Sequence, residues 1–172
     1  IINNVIVNNT ADYSYGGAIY MTGSSSYTPW IINNTIAKNK STSYAGGIYR
    51  SSTIAPVIKN NIIWNNADNS NNTNMIEQIY PTSGLNVSYC DIKGGAYSGT
   101  GNISSTPKFK NASSGAGSTI IGYNKDWSLQ ETSPCIDAGS TSASGLGLPA
   151  TDLLGKTRVY SAAVDMGAYE DK

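Results

Sequence analysis

The stretch Ile1-Ile2-Asn3-Asn4-Val5-Ile6-Val7-Asn8-Asn9 returns in recognisable form over residues 31–39 and again over residues 57–66. No other feature constrains the fold as strongly, because a unit this short cannot bury its own apolar face and must lie against its neighbours. Setting Ile2, Ile32 and Ile58 in register also aligns Ile6 with Ile36 and Ile62, Asn4 with Asn34 and Asn60, and Asn9 with Asn39 and Asn65. A fainter copy over residues 85–92 completes steps of 30, 26 and 27 residues, from Ile2 to Ile32 to Ile58 to Leu85. Periods of this size belong to repeat architectures.

Each copy reads as two short strands rich in β-branched residues. The first is the Ile-x-x-x-Ile run. The second is Gly16-Gly17-Ala18-Ile19-Tyr20-Met21, matched by Gly46-Gly47-Ile48-Tyr49 and more loosely by Met75-Ile76-Glu77-Gln78-Ile79-Tyr80. Connectors such as residues 22–26 and 69–74 are built from turn formers and absorb the unequal repeat lengths. No segment reads as helix, and the Leu-x-x-Leu-x-Leu frame of a leucine-rich repeat is missing. The expected fold is therefore all-β: a right-handed parallel β-helix, a solenoid in which one repeat stacks on the next at about 4.8 Å. Residues 1–125 supply its rungs, and residues 126–172 form an irregular C-terminal closing segment on the same single domain.

Composition narrows the chemistry. Eleven basic residues balance eleven acidic ones, so no strong field draws the chain to nucleic acid or to an anionic membrane. No run approaches the length of a membrane-spanning helix, and no basic-then-apolar leader opens the chain. The expectation is a trimmed piece of a longer exported protein. Histidine is absent, which removes Ser-His and Cys-His nucleophiles, a histidine base and His-ligated zinc. Cys90 and Cys135 are too far apart for a CxxC motif, leaving either one bridge or two buried thiols.

Three residue groups are candidates for function. If Ile19, Ile48 and Ile79 point inward, alternation sends Tyr20, Tyr49 and Tyr80 outward in a stripe. Stacked phenols with hydroxyls at their tips suit sugar rings, although the same stripe also serves simply to cover a sheet. The aligned asparagines form either an amide ladder or ordinary turns. Lys38, Lys40 and Lys59 fall on one face if the repeats stack, where lysines commonly protect an edge. Asp12, Asp68, Glu77 and Asp91 make no Asp-Asp pair, and the arginines are only Arg50 and Arg158. The reading is non-catalytic, with the C-terminal part of a polysaccharide lyase or glycoside hydrolase as the alternative.

Four short motifs then arrive in order near the C-terminus: Asp126-Trp127-Ser128-Leu129-Gln130, Ser133-Pro134-Cys135-Ile136-Asp137-Ala138-Gly139, Asp152-Leu153-Leu154-Gly155-Lys156-Thr157-Arg158-Val159 and Val164-Asp165-Met166-Gly167-Ala168-Tyr169-Glu170. This order resembles the C-terminal signature of right-handed β-helix surface proteins described as choice-of-anchor Q domain proteins. Gly16-Gly17-Ala18-Ile19 likewise resembles the repeat of polymorphic outer-membrane proteins. The resemblance implies a bacterial protein, exported to the cell surface or secreted, adhesin-like, with a pectate-lyase type of superhelix.

Read physically, the signature closes the fold, with Asp137, Asp152, Arg158 and Asp165 supplying capping and ion-pair contacts. The rival reading is a structural calcium site built from those carboxylates. No EF-hand or nonapeptide spacing is present, so no cofactor is expected. The partners expected are a polysaccharide or host glycan and, if the first repeat leaves an open edge, further copies of the chain in an end-to-end filament.

Overall fold

The computed structural model describes residues 1–171 except Ser24, Ser25, Ser52, Ser70, Ala96, Ile121 and Ala143. Parts of the two turn-rich connectors, at Ser24, Ser25 and Ser70, thus lie outside the described residues. In chain order the strands are β1 (Val5–Val7), β2 (Thr10–Ala11), β3 (Ile19–Met21), β4 (Trp30–Ile32), β5 (Thr35–Ala37), β6 (Lys40–Ser41), β7 (Ile48–Arg50), β8 (Val57–Lys59) and β9 (Ile62–Trp64). The short helix α1 (Met75–Gln78) follows, then β10 (Ile79–Tyr80), β11 (Asn86–Ser88), β12 (Asp91–Ile92), β13 (Phe109–Asn111) and β14 (Asp126–Leu129). No helix among the described residues is long and apolar enough to cross a membrane.

Successive repeats pair in parallel. One sheet has the order β1-β5-β9-β12, a second β10-β7-β3, a third β11-β8-β4, and β2 pairs with β6. Strands β13 and β14 form a separate antiparallel pair. This corrects the expected right-handed parallel β-helix: the strands make several small sheets, none wider than four strands among the described residues, and not one continuous superhelix. The physical reason lies at the corners. Asn3, Asn8, Asn33, Lys38, Asn60 and Asn65 all take positive φ, between 50° and 59°. Asparagine tolerates this left-handed conformation better than most residues; five of these bends end a three-residue strand, and Asn3 follows the isolated bridge at Ile2. Beyond Ile92 the parallel pairing gives way to isolated bridges, loops and the antiparallel pair.

The register also departs from the expected one. Ile2 lies opposite Ile32, but Ile58 lies opposite Ile31 and Val87, one residue from the expected Ile32 and two from the expected Leu85. The buried columns are Ile31-Ile58-Val87 and Ile36-Ile63-Ile92, joined by Ile19-Ile48-Ile79 from the second sheet, in one apolar cluster. Each fully buried isoleucine stabilises the fold by about 1.5–3 kcal/mol.

Amide ladders fix that register. Asn34 accepts from the Asn4 backbone N–H at 2.9 Å, and Asn61 accepts from the Asn34 N–H at 2.8 Å. The ladder ends on Cys90, whose Sγ lies 3.3 Å from the Asn61 nitrogen. A second ladder runs Asn9, Asn39, Asn66 and Gln78, with side-chain amide contacts of 3.0, 2.9 and 3.0 Å. In the Asn-Asn pairs at 33–34, 60–61 and 65–66 the first residue makes the left-handed bend and the second is buried with its amide in a ladder. Residues 75–78, expected to extend a strand, form α1 instead. Gln78 donates to the Thr73 and Asn74 carbonyls while accepting from Asn66, so the chain must coil there to deliver the amide.

The four-stranded sheet is covered on both sides. Ile36 and Ile63 face the first cluster, whereas Ile62 belongs to a second cluster with Leu129, Cys135 and Met166. A sheet buried on both faces is favoured by near-continuous apolar strands, and every residue of β5 is buried. The glycine pairs permit close packing between repeats: a Cβ on Gly17 would lie 2.3 Å from the Lys40 carbonyl oxygen, and one on Gly47 would lie 2.3 Å from that of Gln78.

Candidate functional site

The sheet β10-β7-β3 carries the most organised exposed surface of the chain. Its register sets Ile19, Ile48 and Ile79 in one column and Tyr20, Tyr49 and Tyr80 in the next. The three isoleucines are buried, so strand alternation turns the tyrosines outward. The Tyr20 and Tyr49 rings stack at 5.2 Å with an interplanar angle of 5°, and Tyr49 and Tyr80 at 6.1 Å and 23°.

Two further tyrosines join them. Tyr15 stacks on Tyr49 at 4.6 Å and on Tyr44 at 6.0 Å, while Tyr44 stacks on Tyr80 at 4.7 Å. Sequence reasoning missed Tyr15 and Tyr44. The signal was present, since each precedes its strand tyrosine by five residues across the glycine turn. Five rings therefore form a continuous aromatic wall, each pair adding about 0.5–1.5 kcal/mol beyond area burial.

Stacking occupies most ring faces with other rings. Tyr20 differs: it sits on β3, one of the two edge strands of its sheet. It stacks on Tyr49 alone among the described rings and is 52% exposed. Beside it opens a groove of about 530 Å³ lined by Tyr20, Met21, Thr22, Tyr27, Pro29 and Ile54. Tyr27, another lining residue, is largely exposed. The lining residue Ile54 is held by Arg50, whose guanidinium donates to the Ile54 carbonyl at 2.6 Å and to that of Ser83. An apolar groove with aromatic walls and phenolic hydroxyls suits a ligand that has both C–H faces and hydroxyl groups.

The carboxylates of the C-terminal motifs have structural partners. Asp152 accepts from the Leu154 and Lys156 N–H groups, both at 2.8 Å, and from the Glu170 N–H at 2.9 Å. Asp165 accepts from the N–H groups of Asp137 at 2.7 Å and Asp171 at 2.8 Å. Ser161 donates to the Asp137 carboxylate. Burial raises the Asp165 pKa, partly offset by those backbone donors. Among the described residues no group of three or more His, Cys, Asp or Glu is placed to hold a metal ion.

Arg158 is 1% exposed and pairs with Glu170 at 3.0 Å. It also donates to the Ala168 carbonyl at 2.7 Å and to the Asn3 side chain. The terminal motifs thus run back along the first three repeats. The Asn33 amide donates to the Asp165 carbonyl at 2.9 Å, the Gly167 N–H to the Asn60 carbonyl at 2.8 Å, and the Ala168 N–H to Thr35 Oγ1 at 3.1 Å. Glu170 as counter-ion of Arg158 went unnoticed in the sequence, although it closes the fourth motif.

Cys90 and Cys135 are free, buried thiols. Cys135 Sγ donates to Asp91 Oδ2 at 3.1 Å, and burial pushes the Asp91 carboxyl up to about 6. Lys59 sits 5.4 Å from the Tyr89 ring centroid in a cation-π contact. Compared with known proteins, the chain matches no family model, no curated protein and no solved structure.

Proposed function

We propose that the chain is a non-catalytic element, structural or adhesive, of a bacterial surface or secreted protein, and that it binds glycan in the groove beside Tyr20. The observation that carries this reading is the half-exposed Tyr20 ring at the end of a five-ring stack, lining a groove that Tyr27 also lines. A pyranose ring has an apolar C–H face that lies on a phenol, and its hydroxyls reach the flanking phenolic and threonine oxygens. The wall behind Tyr20 fixes its ring, which lowers the entropy lost when a ligand is held. The order of the four C-terminal motifs, with its resemblance to choice-of-anchor Q proteins, supports the exported, surface-associated setting.

A panel of neutral and acidic oligosaccharides tests the proposal by titration calorimetry, with reducing and unsaturated ends followed in the same samples. Expected is saturable binding that is lost in Tyr20→Ala and weakened in Tyr27→Ala. New chain ends accumulating with time would overturn the non-catalytic reading, and undiminished binding in Tyr20→Ala would overturn the site.

A second reading, assembly through copies of the chain, rests on the sheet order. Strands β1, β2 and β3 each lie at an edge of their sheets and present backbone groups that a further strand can pair with. Light scattering against concentration tests it. A mass that rises with concentration supports assembly, and a constant monomer mass rejects it.

A further inference from the structure

A second cavity, of about 240 Å³, lies where the loop around residues 114–116 folds over the corner after β5. Lys38, Asn65, Asn71, Thr73, Lys93 and Ser114 are among the residues that line it. The fold assembles it from three separate parts. Lys38 takes the left-handed corner position that asparagine holds at residues 8 and 65, and Lys93 follows directly on β12. The covering loop is pinned by the Gly117 N–H, which donates to the Lys38 carbonyl at 2.9 Å.

Two ammonium groups are thereby brought to one half-enclosed space. Lys38 Nζ donates to the Ser114 carbonyl at 3.4 Å, and Lys93 Nζ to Asn65 Oδ1. Each ammonium carries three donors, so both retain N–H groups free to turn to a ligand. Among the described residues the ion pair found is Arg158 with Glu170, and no carboxylate lies within ion-pair distance of Lys38 or Lys93. Asp68, in the neighbouring loop, accepts the Asn72 N–H at 2.8 Å and is not part of the lining. Burial, and then the charge of Lys93, lower the Lys38 pKa. Like charges held near one another at a half-buried place repel until an anion joins them. Lys40, whose Nζ reaches Asn71 Oδ1 at 3.2 Å, adds a third positive charge at the rim.

We propose that this cavity is an oxyanion site, in which Lys38 and Lys93 bind a carboxylate, sulfate or phosphate group with Asn71 and Thr73 offering neutral hydrogen bonds. The volume equals about eight waters at about 30 Å³ each, room for such a group and part of a sugar that bears it. The site is independent of the tyrosine groove. Tyr20→Ala leaves it intact, and failure at either place is read separately.

The test titrates the whole chain with inorganic phosphate, sulfate and a galacturonate trisaccharide at constant ionic strength, following the lysine side-chain signals by NMR. Expected are saturable shifts at Lys38 and Lys93, and affinity about tenfold weaker in Lys38→Gln and in Lys93→Gln. Exposed Lys110→Gln should leave affinity unchanged. Tighter binding of the trisaccharide identifies an acidic saccharide as the source of the oxyanion, and binding of phosphate or sulfate alone identifies a free ion. Shifts that grow linearly without saturation, or equal losses in Lys110→Gln and Lys93→Gln, would overturn the proposal. The wild-type lysine signals decide the matter even if a substituted chain fails to fold.

Discussion

Replacing Asn66 by alanine tests the amide ladder at its most enclosed point. The side chain is 0% exposed. Its Oδ1 accepts from the Asn39 N–H at 3.0 Å and from the Asn39 amide at 2.9 Å, while its Nδ2 donates to the Ile36 carbonyl at 3.0 Å and to Gln78 Oε1 at 3.0 Å. Alanine leaves the buried Asn39 N–H without its acceptor and removes a donor from the Ile36 carbonyl. A buried group deprived of its partner costs about 1–3 kcal/mol, so the variant should lose about 3 kcal/mol. In a chain of this size that lowers the melting midpoint by about 6–12 °C.

Asn9 is the control. It lies at the exposed end of the same ladder, and Asn39 Oδ1 keeps the Asn9 backbone N–H whatever the side chain. Asn9→Ala should therefore cost under about 1 kcal/mol. Asn66→Asp should be worse than Asn66→Ala, because a carboxylate would face Gln78 Oε1 and the Ile36 carbonyl. Urea unfolding followed by circular dichroism reads all three. Equal midpoints for Asn66→Ala and Asn9→Ala would refute the claim that the ladder holds the repeats in register.

Other consequences concern the buried charges and thiols. Burial raises Glu77 to about 7, helped by the nearby Asp68, so the folded chain holds a proton that the unfolded chain releases at its ordinary carboxylate pKa. The stability from this group is complete below about pH 4.5 and is lost as pH rises through about 7. The urea midpoint should accordingly fall between pH 5 and pH 8, and Glu77→Gln should flatten that slope. Arg158→Met strands Glu170 in the interior and should cost about 3–5 kcal/mol, measured by the same unfolding assay. Burial pushes the Cys90 thiol up to about 12 and Cys135 higher still, so a thiol reagent should label neither in the native chain and both in denaturant.

Much of this organisation was legible in the repeat. The Ile-x-x-x-Ile runs became the strands that pair across copies, and the Tyr20, Tyr49 and Tyr80 stripe could be placed from alternation alone. The register of the third copy was not legible, for a physical reason. Aligning isoleucines put Ile58 with Ile32 and Asn60 with Asn34, whereas the chain aligns Asn33-Asn34 with Asn60-Asn61 and lets Ile58 move opposite Ile31. A buried isoleucine tolerates a neighbour of similar shape, but a buried amide out of register leaves unsatisfied groups, so the polar pair decides.

The same ladder explains the helix at residues 75–78, since Gln78 replaces a fourth asparagine from a different backbone. The expected superhelix failed at the corners and beyond Ile92, where left-handed bends and small-residue loops interrupt pairing. The return of the C-terminal motifs to the first three repeats depends on contacts such as Asn33 to Asp165, 132 positions apart in the sequence. No local pattern reports such a contact.

The claim on which the functional account rests is that glycan meets this chain at Tyr20, with the stacked rings as its backing. Selective ring labelling of tyrosine, followed by NMR titration with a binding oligosaccharide, tests it directly. The account predicts saturable shifts that are largest at Tyr20 and Tyr27 and smaller along Tyr49, Tyr15, Tyr44 and Tyr80. Shifts centred on the exposed Tyr123 or Tyr160, with the Tyr20 signal unmoved, would contradict it.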